Sequence, residues 1–261
     1  MNIFHAIILG LVEGITEFLP ISSTGHMILV SDFLNLPNTD LLKSFEIAIQ
    51  LGAIFAIVIL YSSRFLSDIK MYKRLFVAFI PTAVIGFLLY DFIKTHLFNP
   101  IIVAISLILG GFFLIFLDNW IKNKNKDEDV ANESETKEIT YKDAFIIGLF
   151  QNLAMIPGVS RAAATITGGV FRGMSKKQAM EFSFLLAVPT MVVATGYDLI
   201  KTSNSYTSYE FGLLAIGCVT AFISAWIAVK LFISIVEKYG LAIFGYYRII
   251  LGVVYLLYFL K

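Results

Sequence analysis

Six apolar blocks, each close to the length that crosses a lipid bilayer, constrain this chain more than any other feature of its sequence. A helix needs about 20 apolar residues to span the hydrocarbon core of a membrane. The composition agrees, because 58% of the 261 residues are hydrophobic and only 15% are charged. We therefore predict an all-α integral membrane protein with six transmembrane helices, at about residues 45–62, 73–92, 100–120, 178–198, 209–232 and 241–260.

The N-terminus and the charge balance exclude several classes of protein. No Lys or Arg precedes Glu13, so the chain lacks the basic segment that begins a cleavable signal peptide, and we expect this end to belong to the mature protein. Cys218 is the only cysteine, which excludes an intrachain disulfide. The net charge of +1 gives no basic surface for nucleic acid. The partner that the composition predicts is the lipid bilayer.

A polar stretch at 121–141 has the composition of a solvated linker and divides the chain into two halves, 1–120 and 142–261. Each half begins with a broken apolar segment, at 3–35 and at 142–172, and continues with three full spans. Because three is an odd number, the second half enters the membrane from the opposite side. We therefore predict an inverted-topology repeat.

The broken segments resemble each other in sequence. The letters GLVE at 10–13 recur as GLFQ at 148–151, at an offset of 138 residues. PISS, beginning at Pro20, recurs as PGVS, beginning at Pro157, at an offset of 137. A proline among Ser, Thr and Gly should stop a helix inside the membrane and turn the chain back. We predict that both segments are re-entrant helical hairpins whose tips meet near the membrane midplane.

The distribution of Lys and Arg orients this arrangement, because cytoplasmic loops are enriched in these residues. If the first hairpin opens outward, the connections on the inner side hold fourteen of the 20 basic residues. Arg161 and Arg248 lie within apolar segments, and the outer side holds the remaining four, Lys43, Lys94, Lys201 and Lys261. The count predicts that both termini face outward, that the 121–141 linker is cytoplasmic and that the site is reached from the outer face.

Two carboxylates lie in the first hairpin, at Glu13 and Glu17. They are four residues apart, hence on one face of a helix, and each ionised carboxylate inside a membrane costs at least about 2.5 kcal/mol. One of them could be protonated or reach the surface. A divalent cation, Mg²⁺ or Ca²⁺, is the alternative partner, since it binds carboxylate and phosphate oxygens together.

Hydroxyl groups and a histidine follow directly, at Ser22, Ser23, Thr24 and His26. The hydroxyls could cap a helix whose N-terminus favours an anion. Ser23 and His26 share a helix face, so the imidazole could exchange protons with the hydroxyl of a nucleophile. Helix capping and a structural role for the histidine are the simpler readings of the same residues.

The tip of the second hairpin carries Ser160 and Arg161, with Thr165 one turn further on. An unpaired arginine inside a membrane is costly. It could form an ion pair with Glu13 or Glu17, or it could clamp a phosphate through two hydrogen bonds, and one arginine can do both in turn. Taken together, the two tips predict a site that handles phosphate.

These residues resemble the two signature motifs of the bacterial undecaprenyl-diphosphate phosphatases, a family associated with bacitracin resistance. The motifs read Glu13-Gly-Ile-Thr-Glu17-Phe-Leu-Pro20-Ile-Ser22-Ser23-Thr24-Gly-His26 and Pro157-Gly-Val-Ser160-Arg161. Further similar segments lie at 45–52, 181–186 and 247–248, so the resemblance covers nearly the whole chain. The second motif usually continues with Ser-Gly-Ala-Thr, but here Ala162 and Ala163 replace the serine and the glycine. These two alanines should stiffen the turn and remove the hydrogen bond of one hydroxyl.

The resemblance implies a multi-pass enzyme of the bacterial cell (inner) membrane that hydrolyses a phosphoric anhydride. Undecaprenyl diphosphate would become undecaprenyl phosphate and phosphate, which recycles the carrier lipid for cell-wall synthesis, and bacitracin would be an indirect partner through the shared lipid. A divalent cation would be required. The resemblance assigns metal binding to Glu13 and Glu17, nucleophilic attack to Ser23 and proton transfer to His26. It assigns diphosphate binding to Arg161, Ser160 and Thr165. The hydroxyls of Ser22 and Thr24 are further candidates for binding the diphosphate.

Several alternatives stay open on the sequence. A phosphohistidine at His26 or attack by metal-bound water could replace Ser23 as nucleophile. A polyprenyl-phosphate flippase or secondary transporter would share the inverted repeat. The other membrane lipid phosphatases also use Ser-Gly-His and Ser-Arg elements, but the Glu13/Glu17 pair speaks against them. The preferred metal, the prenyl length and the oligomeric state, a homodimer included, are left open.

Overall fold

The computed structural model describes residues 1–37, 39–97, 99–127, 137–201 and 207–259. These residues form helices and connections, and no strand occurs among them. A π-helical turn at Ile93–Leu97 follows α5, and a 3₁₀ turn at Asn152–Met155 follows α7. The α-helices are α1 (Ile3–Thr16), α2 (Ser23–Phe33), α3 (Asp40–Leu60), α4 (Ser62–Ser67), α5 (Ile69–Phe92), α6 (Pro100–Asp127), α7 (Tyr141–Gln151), α8 (Arg161–Phe171), α9 (Lys176–Lys201), α10 (Ser208–Tyr239) and α11 (Ala242–Phe259).

Six of these helices are long and apolar enough to cross a membrane, which confirms the all-α prediction and its six spans. Their outward faces carry large apolar side chains such as Phe87, Leu109 and Ile250, each more than 60% exposed. Lipid tails are the solvent that such a surface suits. The chain is therefore a multi-pass membrane protein, with spans at Leu42–Leu60, Ile69–Leu89, Pro100–Asn123, Lys176–Tyr197, Ser208–Tyr239 and Ala242–Phe259.

The broken segments form two pairs of short helices, α1 with α2 and α7 with α8. Helix α1 has 14 residues and α7 has 11, so at about 1.5 Å per residue neither reaches across a bilayer. Residues 17–22 join α1 to α2 and are called the first turn below; residues 152–160 join α7 to α8 and are called the second turn. That both pairs enter and leave a membrane on one side stays a prediction.

The two hairpins match each other at one offset. Helix α8 begins and ends 138 residues after α2, and the residues before them, Ser160 and Ser22, are both N-caps. Past the helix ends, Gly173 and Asn35 have positive φ at the same offset. The prolines are therefore one residue out of register, because the helix caps and not the prolines fix the backbone. This match supports the repeat, whose inversion stays a prediction.

Close helix crossings hold the hairpins against the spans. Helix α1 packs on α10, where a Cβ on Gly14 would lie 2.3 Å from the carbonyl oxygen of Ala221. Helix α7 packs on α5 in the same manner, with Gly148 against the backbone of Ala78. Small residues allow such approaches between helices in lipid. Each hairpin therefore packs closely against a span that belongs to the other half of the chain.

The polar linker is shorter than its composition predicted. Helix α6 continues through Asp127, helped by an ion pair of 2.9 Å between Lys122 and Asp118 one turn apart. At the other end, Ile139 is buried and Glu138 forms a 2.8 Å ion pair with Arg74. The middle of the linker, 128–136, lies outside the described residues.

Candidate functional site

Two serines in an unusual backbone conformation begin the helices that follow the turns. Ser22 has φ 70° and Ser160 has φ 77°, in the left-handed region that residues other than glycine rarely adopt. Each side chain accepts a hydrogen bond from a helix N–H, at 3.4 Å from Gly25 and at 3.2 Å from Ala163. Such strain persists only where the surroundings enforce it, and it concentrates at functional sites.

A cavity of about 160 Å³ lies between the two turns. The N-terminal ends of α2 and α8 both border it, and the first N–H groups of a helix have no partner within the helix. Two helix N-termini beside one cavity favour an anion there. Its lining comes from both turns and from α3 and α9: Glu17, Ser22, Ser23, Thr24, Gln50, Ala154, Pro157, Gly158, Ser160, Arg161 and Met191.

A chain of three side chains crosses this cavity from one turn to the other. The Ser23 hydroxyl donates to Oε2 of Glu17 at 2.5 Å, and Nη2 of Arg161 lies 3.4 Å from Oε1 of the same carboxylate. Ser23 and Glu17 are at most 9% exposed. The predicted ion pair between Arg161 and a glutamate is therefore present with Glu17, and that carboxylate is the base within reach of the Ser23 proton.

The backbone of α9 fixes the direction of the Arg161 guanidinium. Nη1 donates to the carbonyl oxygen of Ser183 at 2.9 Å, and the guanidinium lies 5.7 Å from the centre of the Phe18 ring. Nε is buried and has no hydrogen-bond partner among the described residues. Thr165 is bound to Ser183, with 2.6 Å between the two hydroxyl oxygens, and lies one layer behind the cavity rather than in its wall.

His26 faces away from Ser23, although the two share a helix. Its Nδ1 lies 2.7 Å from the carbonyl oxygen of Ser22, and its Nε2 lies 2.7 Å from the hydroxyl of Tyr247. A carbonyl only accepts, so Nδ1 carries the hydrogen, and in the neutral ring Nε2 then accepts from Tyr247. The rings are parallel, with centroids 5.6 Å apart. The ring nitrogens of His26 therefore make no direct contact with Ser23, across which the expected proton exchange would run. Instead, the imidazole binds the backbone carbonyl of the N-cap residue Ser22.

Glu13 lies one turn before Glu17 on α1 and is 1% exposed. Its Oε1 has no hydrogen-bond partner among the described residues, and its charged neighbours are Glu17, Glu46 and Arg161. No group of three or more His, Cys, Asp or Glu in the described ranges is arranged to hold a metal alone. Two carboxylates with a free oxygen still fit a hard cation whose other ligands are phosphate oxygens.

The two alanines that depart from the usual second motif do not line the cavity. The side chains of Ala162 and Ala163 are buried in the apolar core. The hydroxyl that borders the cavity at this tip belongs to Ser160 instead. The predicted loss of a phosphate contact at these positions therefore finds no support in the lining.

Sequence reasoning gave no role to four residues that shape this site. Gln50 lines the cavity, Ser183 anchors Arg161, Tyr247 holds His26, and Arg248 contacts both turns. A glutamine and an arginine inside apolar spans are signals in themselves. The sequence does not show which residues the glutamine and the arginine would contact in the folded protein.

Comparison with known proteins agrees with this geometry. Residues 6–254 match the model of the family described as bacitracin resistance protein BacA. A protein of Aquifex aeolicus named undecaprenyl-diphosphatase is 50% identical over 261 residues, which is the full length of both chains. Proteins of the same name are 51% identical in Bdellovibrio bacteriovorus, over 98% of this chain and 96% of the relative, and 51% identical in Persephonella marina, over the full length of both. The chain belongs to the BacA family.

Proposed function

We propose that this chain is an undecaprenyl-diphosphatase, an enzyme that hydrolyses undecaprenyl diphosphate to undecaprenyl phosphate and inorganic phosphate. The names of the full-length relatives support the substrate. The observation that carries the chemistry is the chain from Ser23 through Glu17 to Arg161, in a cavity bordered by two helix N-termini. It joins a nucleophile, a base and a cation.

In the proposed mechanism Ser23 is the nucleophile. Its oxygen attacks the terminal phosphorus while its proton passes to Oε2 of Glu17, 2.5 Å away. The bond from that phosphorus to the bridging oxygen breaks, and undecaprenyl phosphate leaves with the electron pair. Water then attacks the phosphoserine, Glu17 returns a proton to the Ser23 oxygen, and inorganic phosphate departs. Arg161 and the helix N-termini stabilise the negative charge of the phosphoryl oxygens in both steps.

His26 and a water molecule are the other candidate nucleophiles. Both nitrogens of His26 have partners, Ser22 and Tyr247, whereas the Ser23 hydroxyl meets a base and lines the cavity. This contrast favours Ser23. Reaction with substrate labelled in the terminal phosphate should place the label on Ser23. An unlabelled His26→Ala protein together with a labelled, active Ser23→Ala protein would contradict the proposal.

A divalent cation, Mg²⁺ or Ca²⁺, belongs to the same proposal. Glu13 and Glu17 would hold it, since Glu17 lines the cavity and Glu13, one turn earlier on α1, has a buried oxygen without a partner among the described residues. The cation would neutralise charge on the diphosphate oxygens as the bridging bond breaks. Atomic absorption of the purified protein and activity after chelation test this part separately from the choice of nucleophile.

We propose a location in the bacterial inner membrane, with the site reached from the outer face. The support is the distribution of Lys and Arg, fourteen on one side and four on the other. Membrane-impermeant thiol labelling of single cysteines introduced in place of Lys43 and Lys73, in a protein without Cys218, tests the orientation. Label should reach position 43 from outside and position 73 only after the cells are opened.

Bacitracin enters the proposal through the shared lipid, because an enzyme that consumes undecaprenyl diphosphate removes the lipid that the antibiotic would bind. Cells with additional copies of this chain should tolerate more bacitracin than cells with a Ser23→Ala copy. A homodimer is a further proposal, and the mass of the protein in a native membrane particle decides it.

A flippase or secondary transporter is the second candidate function, favoured by the matched hairpins. One experiment separates the two. Protein solubilised in detergent and supplied with C55 diphosphate and Mg²⁺ or Ca²⁺ should release inorganic phosphate, because hydrolysis needs no second compartment. If no phosphate appears with either cation, the transporter is favoured.

A further inference from the structure

Arg248 lies within α11, and its side chain is fully buried inside the protein. Among the described residues its guanidinium meets no carboxylate. It donates instead to five backbone carbonyl oxygens, which belong to Gly158 and Val159 at 2.8 Å, Pro20 and Ser106 at 3.1 Å, and Leu107 at 3.4 Å. A buried arginine without such partners would be costly, so these bonds are a condition for its presence.

The five acceptors come from three separate elements. Pro20 belongs to the first turn, Gly158 and Val159 to the second turn, and the other two to α6. A guanidinium is planar and presents its donors in fixed directions. One rigid group therefore ties the two turns to each other and to a span.

The bond to Val159 also affects the cavity. In a trans peptide the N–H of the next residue points opposite to the carbonyl oxygen. Because the Val159 carbonyl points to Arg248, the N–H of Ser160 points away from it. Ser160 lines the cavity, so this arrangement favours a donor and not an acceptor toward a bound anion.

We propose that Arg248 is a positioning residue for phosphate chemistry. It fixes the separation of the two turns, and with it the separation of the Ser23–Glu17 pair from Arg161. This inference rests on the proposed function. The Arg161–Glu17 contact of 3.4 Å leaves little tolerance, and a misplacement of about 1 Å can cost an enzyme about 100-fold in rate.

A distance measurement tests the positioning without reference to activity. Ile15 precedes the first turn and Leu153 lies in the second; both face outward, at 46% and 51% exposed. Spin labels would be attached at these two positions after the Ile15→Cys, Leu153→Cys and Cys218→Ser substitutions. We expect Arg248→Lys to broaden or shift the distribution of distances between the labels, since lysine places its donors on a single nitrogen and cannot reach all five carbonyls.

Kinetics supply the second readout. For Arg248→Lys we expect kcat to fall about 100-fold while KM changes less than about threefold, because the groups that bind substrate remain. Gly110→Ala perturbs the same contact from outside, since its Cβ would lie 2.1 Å from Nη2 of Arg248. For this variant we expect a loss in kcat of about tenfold. Gly212→Ala, whose Cβ would have no neighbour within 4 Å, is the matched control and should retain kcat.

Each outcome decides the inference. Broadened distances together with reduced kcat support positioning. Unchanged distances overturn it, whether kcat falls or not, because a loss of rate without movement means that Arg248 acts in another way. If Arg248→Lys does not fold, Gly110→Ala decides by the same two readouts. If the unmodified protein releases no phosphate, the proposed function fails, while the distances still show whether Arg248 holds the turns.

Discussion

The two turns have the same backbone and carry different chemistry. At the shared offset of 138 residues, Ser160 repeats the positive φ and the capping bond of Ser22. The residue after the cap is Ser23 in the first half and Arg161 in the second, so the proposed nucleophile and a cation occupy equivalent places. A duplicated scaffold can therefore bring complementary groups together across one cavity, because each half contributes a different one.

The other residues of the first half that the proposal places in the site correspond to apolar or neutral residues in the second half. Glu17 corresponds to Met155, and His26 corresponds to Ala164, which lines a second, apolar cavity of about 330 Å³. Glu13 corresponds to Gln151, which is bound to the hydroxyls of Thr82 and Thr190. In the proposed mechanism the carboxylates and the nucleophile thus belong to the first half, and the second half contributes the Arg161 cation.

The largest effect should come from removing the proposed nucleophile, Ser23, at the start of α2. We expect Ser23→Ala to lower kcat by at least about 10³-fold, because the remaining groups bind the diphosphate but form no phosphoserine. Phosphate release from C55 diphosphate measures it. Ser234→Ala, at an exposed serine on α10, is the control. Turnover near the unmodified rate in the Ser23→Ala protein would contradict the assignment of Ser23 as nucleophile.

Loss of the cation at the start of α8, Arg161, should have the next largest effect. Arg161→Gln keeps a polar side chain but loses the charge, and we expect kcat/KM to fall by about 10²-fold to 10³-fold. Arg161→Lys should recover only part of this, since one ammonium group cannot contact Glu17 and the Ser183 carbonyl as a fork does. Arg74→Gln, at an arginine paired with an exposed glutamate, is the control. Full activity in Arg161→Lys would mean that charge alone suffices.

Glu13 and Gln151 test whether the metal belongs to one half only. We expect Glu13→Gln to raise the Mg²⁺ or Ca²⁺ concentration for half-maximal activity by about 10-fold to 100-fold, because a carboxylate ligand is lost. Gln151→Ala breaks its bonds to two threonines and should cost about 1–2 kcal/mol of stability while leaving that concentration unchanged. An equal shift in both variants would argue against a metal site at Glu13.

Tyr247 should have a smaller effect. Tyr247→Phe keeps the ring stacked on His26 but removes its hydroxyl, which frees Nε2. If the imidazole only holds the Ser22 carbonyl, we expect kcat to fall between about twofold and tenfold, which corresponds to the net free energy of one hydrogen bond. Tyr246→Phe, at the neighbouring exposed tyrosine, is the control. A loss as large as that of Ser23→Ala would instead show that His26 takes part in proton transfer through Tyr247.

The sequence was sufficient for the spans and for several of the polar residues that the structure gathers around the cavity, because span length and charges inside apolar segments can be counted along the chain. It could not show that Ser23 meets Glu17 rather than His26. Helical spacing places Ser23 and His26 on one face, but the ring of His26 is held by the Ser22 carbonyl and by Tyr247, which is 221 residues away in the chain. The role of Arg248 depends on carbonyls up to 228 residues away, which no local pattern encodes.

The smallest predicted effect lies where the second hairpin begins. Asp143 on α7 holds Arg172 at 2.7 Å and Lys137 at 3.3 Å, whereas the equivalent residue of the first hairpin is His5. Burial alone would raise the pKa of the Asp143 carboxyl, but hydrogen bonds from Arg172, Thr140 and Lys137 outweigh it and hold the pKa well below its ordinary value.

A depressed pKa contributes stability that is complete above the unfolded value of about 4 and is lost as the pH falls below it. Asp143→Asn should therefore lower the thermal midpoint in detergent by a few degrees at pH 7, and the difference from the unmodified protein should shrink between about pH 4 and pH 2. His5→Asn, at the equivalent place in the first hairpin, removes no carboxylate and should show no such pH dependence over the same interval. A constant difference for Asp143→Asn over this range would mean that its charge does not anchor α7.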